Sequence, residues 1–177
     1  MRSIQFKLLV AGLALGIPLG ALAQVSQNVQ VQVQVQGNCT VSAPANANFG
    51  PQTPLATTNL TAEGQVTLRC NAGAAPVLAV NDGGNFLVTR RMSNGAIPTP
   101  TYVAYAVKQP TISGTDYTVC PAFGAGTAWT SLTTLNASAA FASSGGSRTV
   151  RVCFETTVDE NTPLATYTDT VAVSVTF

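Results

Sequence analysis

Residues 29–36 read VQVQVQVQ, and that repeat sets the fold class. Val29, Val31, Val33 and Val35 fall on one side of an extended chain, and Gln30, Gln32, Gln34 and Gln36 on the other. A period of two is the signature of a β-strand with one buried and one wet face. Nothing adjacent in sequence precedes it to pair with. The strand opens the mature chain instead of closing a hairpin, so its partner is expected to come from elsewhere.

What precedes the repeat reads as an export signal over residues 1–23. Arg2 and Lys7 give a positive start, residues 8–22 are apolar, and Ala21-Leu22-Ala23 fits the small-x-small cleavage rule ahead of Gln24. The apolar run is short and broken by Pro18, which disfavours a membrane anchor. Of 8 basic and 7 acidic residues, Arg2 and Lys7 leave with the signal, so the mature net charge is near −1. No basic patch remains for nucleic acid.

Four cysteines, Cys39, Cys70, Cys120 and Cys153, stay in the exported chain, and histidine is absent. An even count in an oxidising compartment favours two disulfides over metal ligation. The absence of histidine and of any CxxC disfavours zinc. Of three possible connectivities, Cys39–Cys70 and Cys120–Cys153 are favoured because each pair sits on expected neighbouring strands.

Turn signals recur along the chain at the spacing of a β-sandwich. Strands are expected at residues 39–42, 63–71, 77–80, 86–89, 101–108, 147–156 and 167–177, with a strong turn at Asn81-Asp82-Gly83-Gly84. Phe49 is expected to plug the core, and the Ala-rich residues 136–142 to make a short helical turn. At the far end, Val171, Val173, Val175 and Phe177 face one way, and Ala172, Ser174 and Thr176 the other. Such an edge, if left open, invites an added strand.

The segments RRMSNG (90–95), YVAYAV (102–107) and PLATYTDTVAVSVTF (163–177), with a strand before GNC, resemble spore coat protein U-like domains. The resemblance spans nearly the whole mature chain, with the C-terminal segment its most specific part. That family includes subunits of archaic chaperone–usher pili. The resemblance implies an all-β, incomplete immunoglobulin-like antiparallel sandwich over residues 38–177, completed by strand donation. It also implies a periplasmic chaperone that fills the groove temporarily, and an outer-membrane usher that exchanges it for the N-terminal strand of another copy. The pair Cys120 and Cys153 departs from the simplest members.

On this reading residues 24–37 are the donor, with Val29, Val31, Val33 and Val35 as its knobs. Val171, Val173, Val175 and Phe177 line one wall of the acceptor groove. The plainer alternative makes 29–36 a first strand of its own sandwich, with Gly37-Asn38 closing a tight hairpin onto 39–42. The repeat leaves the two open, and the resemblance favours donation. The expected product is an extracellular fibre, secreted through the periplasm.

The rival readings are weaker. A membrane barrel needs an even set of long strands and aromatic girdles, and this chain has few aromatics. Arg90-Arg91 reads as a solvated strand end, pairing with Asp82 or Asp116, before it reads as an anion site. Asp159, Glu160 and Asp169 read as a surface loop and lack calcium-loop spacing. Trp129 and Phe123 offer a sugar platform to a lectin-like or tip-adhesin reading, although a lone tryptophan in a sandwich is usually packing. A coat protein that packs without strand exchange is a third possibility. Three sequons, at Asn38, Asn59 and Asn136, are no more than chance would give. No histidine-based triad, GxSxG, Walker or dinucleotide motif is present, so neither an enzyme nor a cofactor is expected.

Overall fold

The computed structural model describes residues 30–177, and the expected signal and Val29 lie outside them. The chain divides into two units, Met1–Gln34 and Val35–Phe177. Within the first, residues 30–34 form neither helix nor strand, and Val31 and Val33 are 91% and 84% exposed.

The second unit holds ten strands: β1 (Cys39–Ala45), β2 (Thr58–Cys70), β3 (Val77–Val80), β4 (Arg90–Ser93), β5 (Tyr102–Lys108), β6 (Thr111–Ser113), β7 (Asp116–Val119), β8 (Thr134–Asn136), β9 (Gly146–Val158) and β10 (Val173–Thr176). A single 3₁₀ turn, Ser138–Phe141, falls inside the Ala-rich stretch. Seven strands form one sheet in the order β1-β2-β9-β5-β4, with β7 beside β9 and β6 beside β7; the other sheet is β10-β3-β8. All pairings are antiparallel except the short parallel bridge Tyr117–Val150 between β7 and β9.

Alternation explains which side chains go inside. On β2, Val66, Leu68 and Cys70 are buried while Gln65 and Arg69 are exposed. Their β9 partner Val150, with Val152, meets Leu78 and Val80 of β3, Val107 of β5, Leu135 of β8, Trp129 and Phe141 in one core. Trp129 and Phe141 are fully buried.

Several expectations need correction. Residues 86–89 are not a strand: Phe86, Leu87 and Val88 are exposed, and β4 begins only at Arg90. Arg90 is no solvated strand end but a buried one, 6% exposed. Asp169 lies in an irregular segment but is no free surface carboxylate: it is half-buried and accepts three hydrogen bonds. The last strand is shorter than the alternation suggests, since Thr168 bridges to Ser93 in the larger sheet and only Val173–Thr176 pair with β3. The chain crosses between the sheets in those intervening residues.

Candidate functional site

Four edges of the two sheets, β1 and β4 of the larger and β8 and β10 of the smaller, are finished in two different ways, apart from the short β6 beside β7. The free side of β4 is occupied: Ser93 N–H donates to the Thr168 carbonyl and Thr168 N–H to that of Ser93, both at 2.9 Å. The free side of β8 is occupied by side chains. Ala137 N–H bonds the Pro76 carbonyl, so by alternation Thr134 and Asn136 turn their backbone groups outward. Gln109 Nε2 donates to the Thr134 carbonyl at 3.2 Å, and the Tyr117 hydroxyl to that of Asn136 at 3.0 Å. Tyr117 is buried, which pushes its hydroxyl pKa up.

The other two edges, β1 and β10, have no backbone partner on their outer side among the described residues. Asn81 N–H bonds the Ala172 carbonyl at 3.0 Å, which fixes the ladder phase and leaves the backbone groups of Val173 and Val175 facing the open edge. Their side chains, with Val171, pack on the core yet stay partly exposed, while Ser174 and Thr176 point to solvent. Phe177 is 61% exposed.

On β1 the bond from Asn71 N–H to the Asn38 carbonyl sets the same phase, so Cys39 and Val41 present their backbone groups outward. Val41 pairs with fully buried Leu68, placing it on the core side, and it is nevertheless 44% exposed. Both open edges therefore show core-facing valines left at least partly exposed among the described residues. Val41 was not legible as a site residue: one valine in a seven-residue strand has no period to announce it.

A polar network fixes the entry to β10. The Asp169 carboxylate accepts from Tyr105 Oη at 2.6 Å, from Gly84 N–H at 2.8 Å and from Asn85 Nδ2 at 3.1 Å. Burial, then the bond to Asp169, drives the Tyr105 hydroxyl pKa far up. Gly83, at φ +83°, leaves no space for a Cβ beside Asp169 and Tyr105. Two residues before Gly83, Asn81 uses its side chain in place of its backbone carbonyl: Oδ1 accepts Ala172 N–H at 2.8 Å, because that carbonyl is taken by Arg90 Nε and Nη2. Arg90 Nη1 reaches the Trp129 carbonyl at 2.7 Å, and Nη2 lies 3.6 Å from Asp82. The Tyr-x-Asp of residues 167–169 was the available signal for Asp169, and the expected pairing of Arg90 with Asp82 is present; the side-chain role of Asn81 gave no signal.

The chain carries the disulfides Cys39–Cys70 and Cys120–Cys153. The first locks the start of β1 to the end of β2. The second ties the loop after β7 onto β9, where Gly124 N–H donates to Glu155 at 2.8 Å and Lys108 lies 3.2 Å from the same carboxylate. A cleft of about 580 Å³ beside this loop is lined by Phe123, Lys108 and Glu155 among others. Trp129 has no exposed ring face to serve as a platform.

These features define a two-sheet β domain in which β4 and β8 are covered and β1 and β10 are open. The chain belongs to the Spore Coat Protein U domain family, whose model matches residues 25–174. Comparison with curated proteins returned no match. Among solved structures it is similar to the CsuC–CsuE chaperone–tip adhesion subunit pre-assembly complex from archaic chaperone-usher Csu pili of Acinetobacter baumannii. The identity is 20% and the TM-score 0.47, over 81% of this chain and 40% of that one. Among the described residues, no helix is long and apolar enough to cross a membrane.

Proposed function

We propose that the protein is a structural subunit of an extracellular pilus or fibre, assembled by donor-strand exchange. The Val/Gln segment of one copy, with Val29, Val31, Val33 and Val35 inward, fills the groove of another. Val171, Val173, Val175 and Phe177 line one wall, and Val41 stands on the other. A periplasmic chaperone and an outer-membrane usher handle the subunit before it joins the fibre outside the cell.

The observation that carries this reading is the match of two unsatisfied halves. Val31, Val33 and Val35 are 91%, 84% and 77% exposed on a segment with no strand partner among the described residues. Valines facing the core lie uncovered along β1 and β10. Burying four valines is worth about 1.5–3 kcal/mol each. The sum, roughly 6–12 kcal/mol as an upper bound, rivals the stability of a whole domain. The glutamines on the opposite face hydrogen-bond without bringing buried charge to the subunit boundary.

The test replaces Val31 and Val33 with aspartate, or deletes residues 24–36. The altered protein is expected to stay monomeric or chaperone-bound, and a synthetic Val/Gln peptide added in trans to stabilise it. Normal polymers from either variant would sink strand donation through this segment.

A further inference from the structure

Strand β2 ends at Cys70, and the chain then turns, with Ala74 N–H on the Asn71 carbonyl at 3.3 Å and Gly73 N–H on that of Phe141 at 2.8 Å. The Asn71 carbonyl is thus spent inside the turn. Its side chain takes over the ladder: Oδ1 accepts Asn38 N–H at 2.7 Å and Nδ2 donates to the Gln36 carbonyl at 2.8 Å. With Asn71 N–H on the Asn38 carbonyl at 3.3 Å, three bonds continue the β1–β2 pairing beyond the Cys39–Cys70 disulfide. Residues 36–38 are held on the β2 side of β1.

Gly37-Asn38 is also the two-residue sequence that could close a hairpin and return residues 29–36 to the open edge of β1. That hairpin pairs Gln36 with Cys39 on the outer side, and its favoured turn needs positive φ at both central residues. Neither Gly37 nor Asn38 has positive φ. The Gln36 carbonyl and Asn38 N–H face Asn71 instead.

We propose that Asn71 is a positioning residue that denies the Val/Gln segment its own groove and so reserves it for a second copy. This rests on the strand-donation reading. A tethered segment competes at an effective concentration in the millimolar range, far above that of free subunits. Without such a block, self-closure ends assembly at the monomer.

The experiment follows amide exchange at Cys39 and Val41 on β1, the edge that the hairpin would cover, and at Val173 and Val175 on β10, together with polymer mass, over a range of concentrations of the mature chain. Wild type is expected to gain protection only as it polymerises. Asn71→Ala is expected to be protected at Cys39 and Val41 as a monomer, independent of concentration, and to polymerise at least about tenfold more slowly. Asn71→Asp, which keeps an acceptor for Asn38 N–H but loses the donor to Gln36, is the milder variant and should shift the same way. Adding Gly37→Val restores polymerisation, because a β-branched residue resists positive φ and its Cβ meets nothing within 4 Å. A merely structural role for Asn71 gives no such rescue.

Wild-type assembly by both Asn71 variants, without monomer protection at Cys39 and Val41, overturns the proposal. Strand donation still stands in that case if the Val/Gln peptide protects Val173 and Val175 in a chain lacking residues 24–36. If the peptide gives no protection, strand donation fails and this inference falls with it.

Discussion

The Tyr105 hydroxyl donates to the Asp169 carboxylate at 2.6 Å, joining the middle of β5 in one sheet to the segment that leads into β10 in the other. The same carboxylate holds the 83–85 turn through Gly84 and Asn85. A hydrogen bond to a charged group is worth about 1.5–3 kcal/mol, and a buried donor left alone loses its solvation as well. Asp169→Ala should cost about 3 kcal/mol and Tyr105→Phe about 1.5 kcal/mol in urea unfolding of the peptide-complemented subunit. Their effects should be non-additive in a double-mutant cycle, since both remove one contact. Additive losses would show that the bond contributes nothing of its own.

The same pair predicts an alkaline limit. Burial and the Asp169 carboxylate both raise the Tyr105 pKa above the usual phenol value of about 10. The native state therefore keeps this proton where the unfolded chain loses it. The associated stability is fully present below about pH 10 and is lost as pH rises through the folded value, with a slope of up to about 1.4 kcal/mol per pH unit. Tyr105→Phe should flatten this fall, leaving the part due to Tyr117, whose pKa burial also raises. Unfolding free energies measured from pH 8 to 11 check it; an unchanged slope in Tyr105→Phe would contradict the assignment.

The strands that two-residue alternation marks most plainly were legible because burial on one face is what alternation encodes. Residues 63–71 and 147–156 became the paired cores of β2 and β9. The apolar run at 86–89 misled for the converse reason: Phe86, Leu87 and Val88 are apolar but have no sheet face to lie on, so apolarity alone was no guide. Arg90 was misread because its burial depends on two carbonyls, of Asn81 and Trp129, that only the tertiary fold brings together. The same holds for the groove. Val171, Val173 and Val175 form a period of two that can be read, whereas the openness of their edge, and Val41 on β1, depend on pairings between distant segments. Side-chain substitution for backbone at Asn71 and Asn81 follows from where each carbonyl is spent, which no local pattern records.

The closed edge of β8 gives a further expectation. Gln109 and Tyr117 occupy the carbonyls that an added strand would use. Exposed edges template association unless blocked. Gln109→Ala combined with Tyr117→Phe should cost about 1–3 kcal/mol and give a peptide-complemented subunit that associates through a second edge. Light scattering of the complemented monomer measures this. A variant that remains monomeric at the solubility of the wild type would show that the two side chains serve stability alone.

The two faces of β10 separate the proposed groove from the surface. Val173 and Ser174 are neighbours, yet Val173 packs on the core beside the open edge while Ser174 is exposed on the other face. Under the strand-donation proposal, a charge at Val173 meets the incoming valines with no partner for it; the same charge at Ser174 stays in water. Val173→Asp should therefore weaken capture of the Val/Gln peptide by at least about tenfold, each factor of ten being about 1.4 kcal/mol. Ser174→Asp should leave capture within about twofold, since exposed substitutions stay within about 0.5 kcal/mol. Val175→Asp should follow Val173→Asp, because both valines share the phase of the ladder. Peptide affinity, from calorimetry on a chain lacking residues 24–36, decides among them. Equal losses at 173 and 174 would mean that the peptide does not enter along the inner face of β10, and the acceptor wall would have to be sought along β1 and Val41.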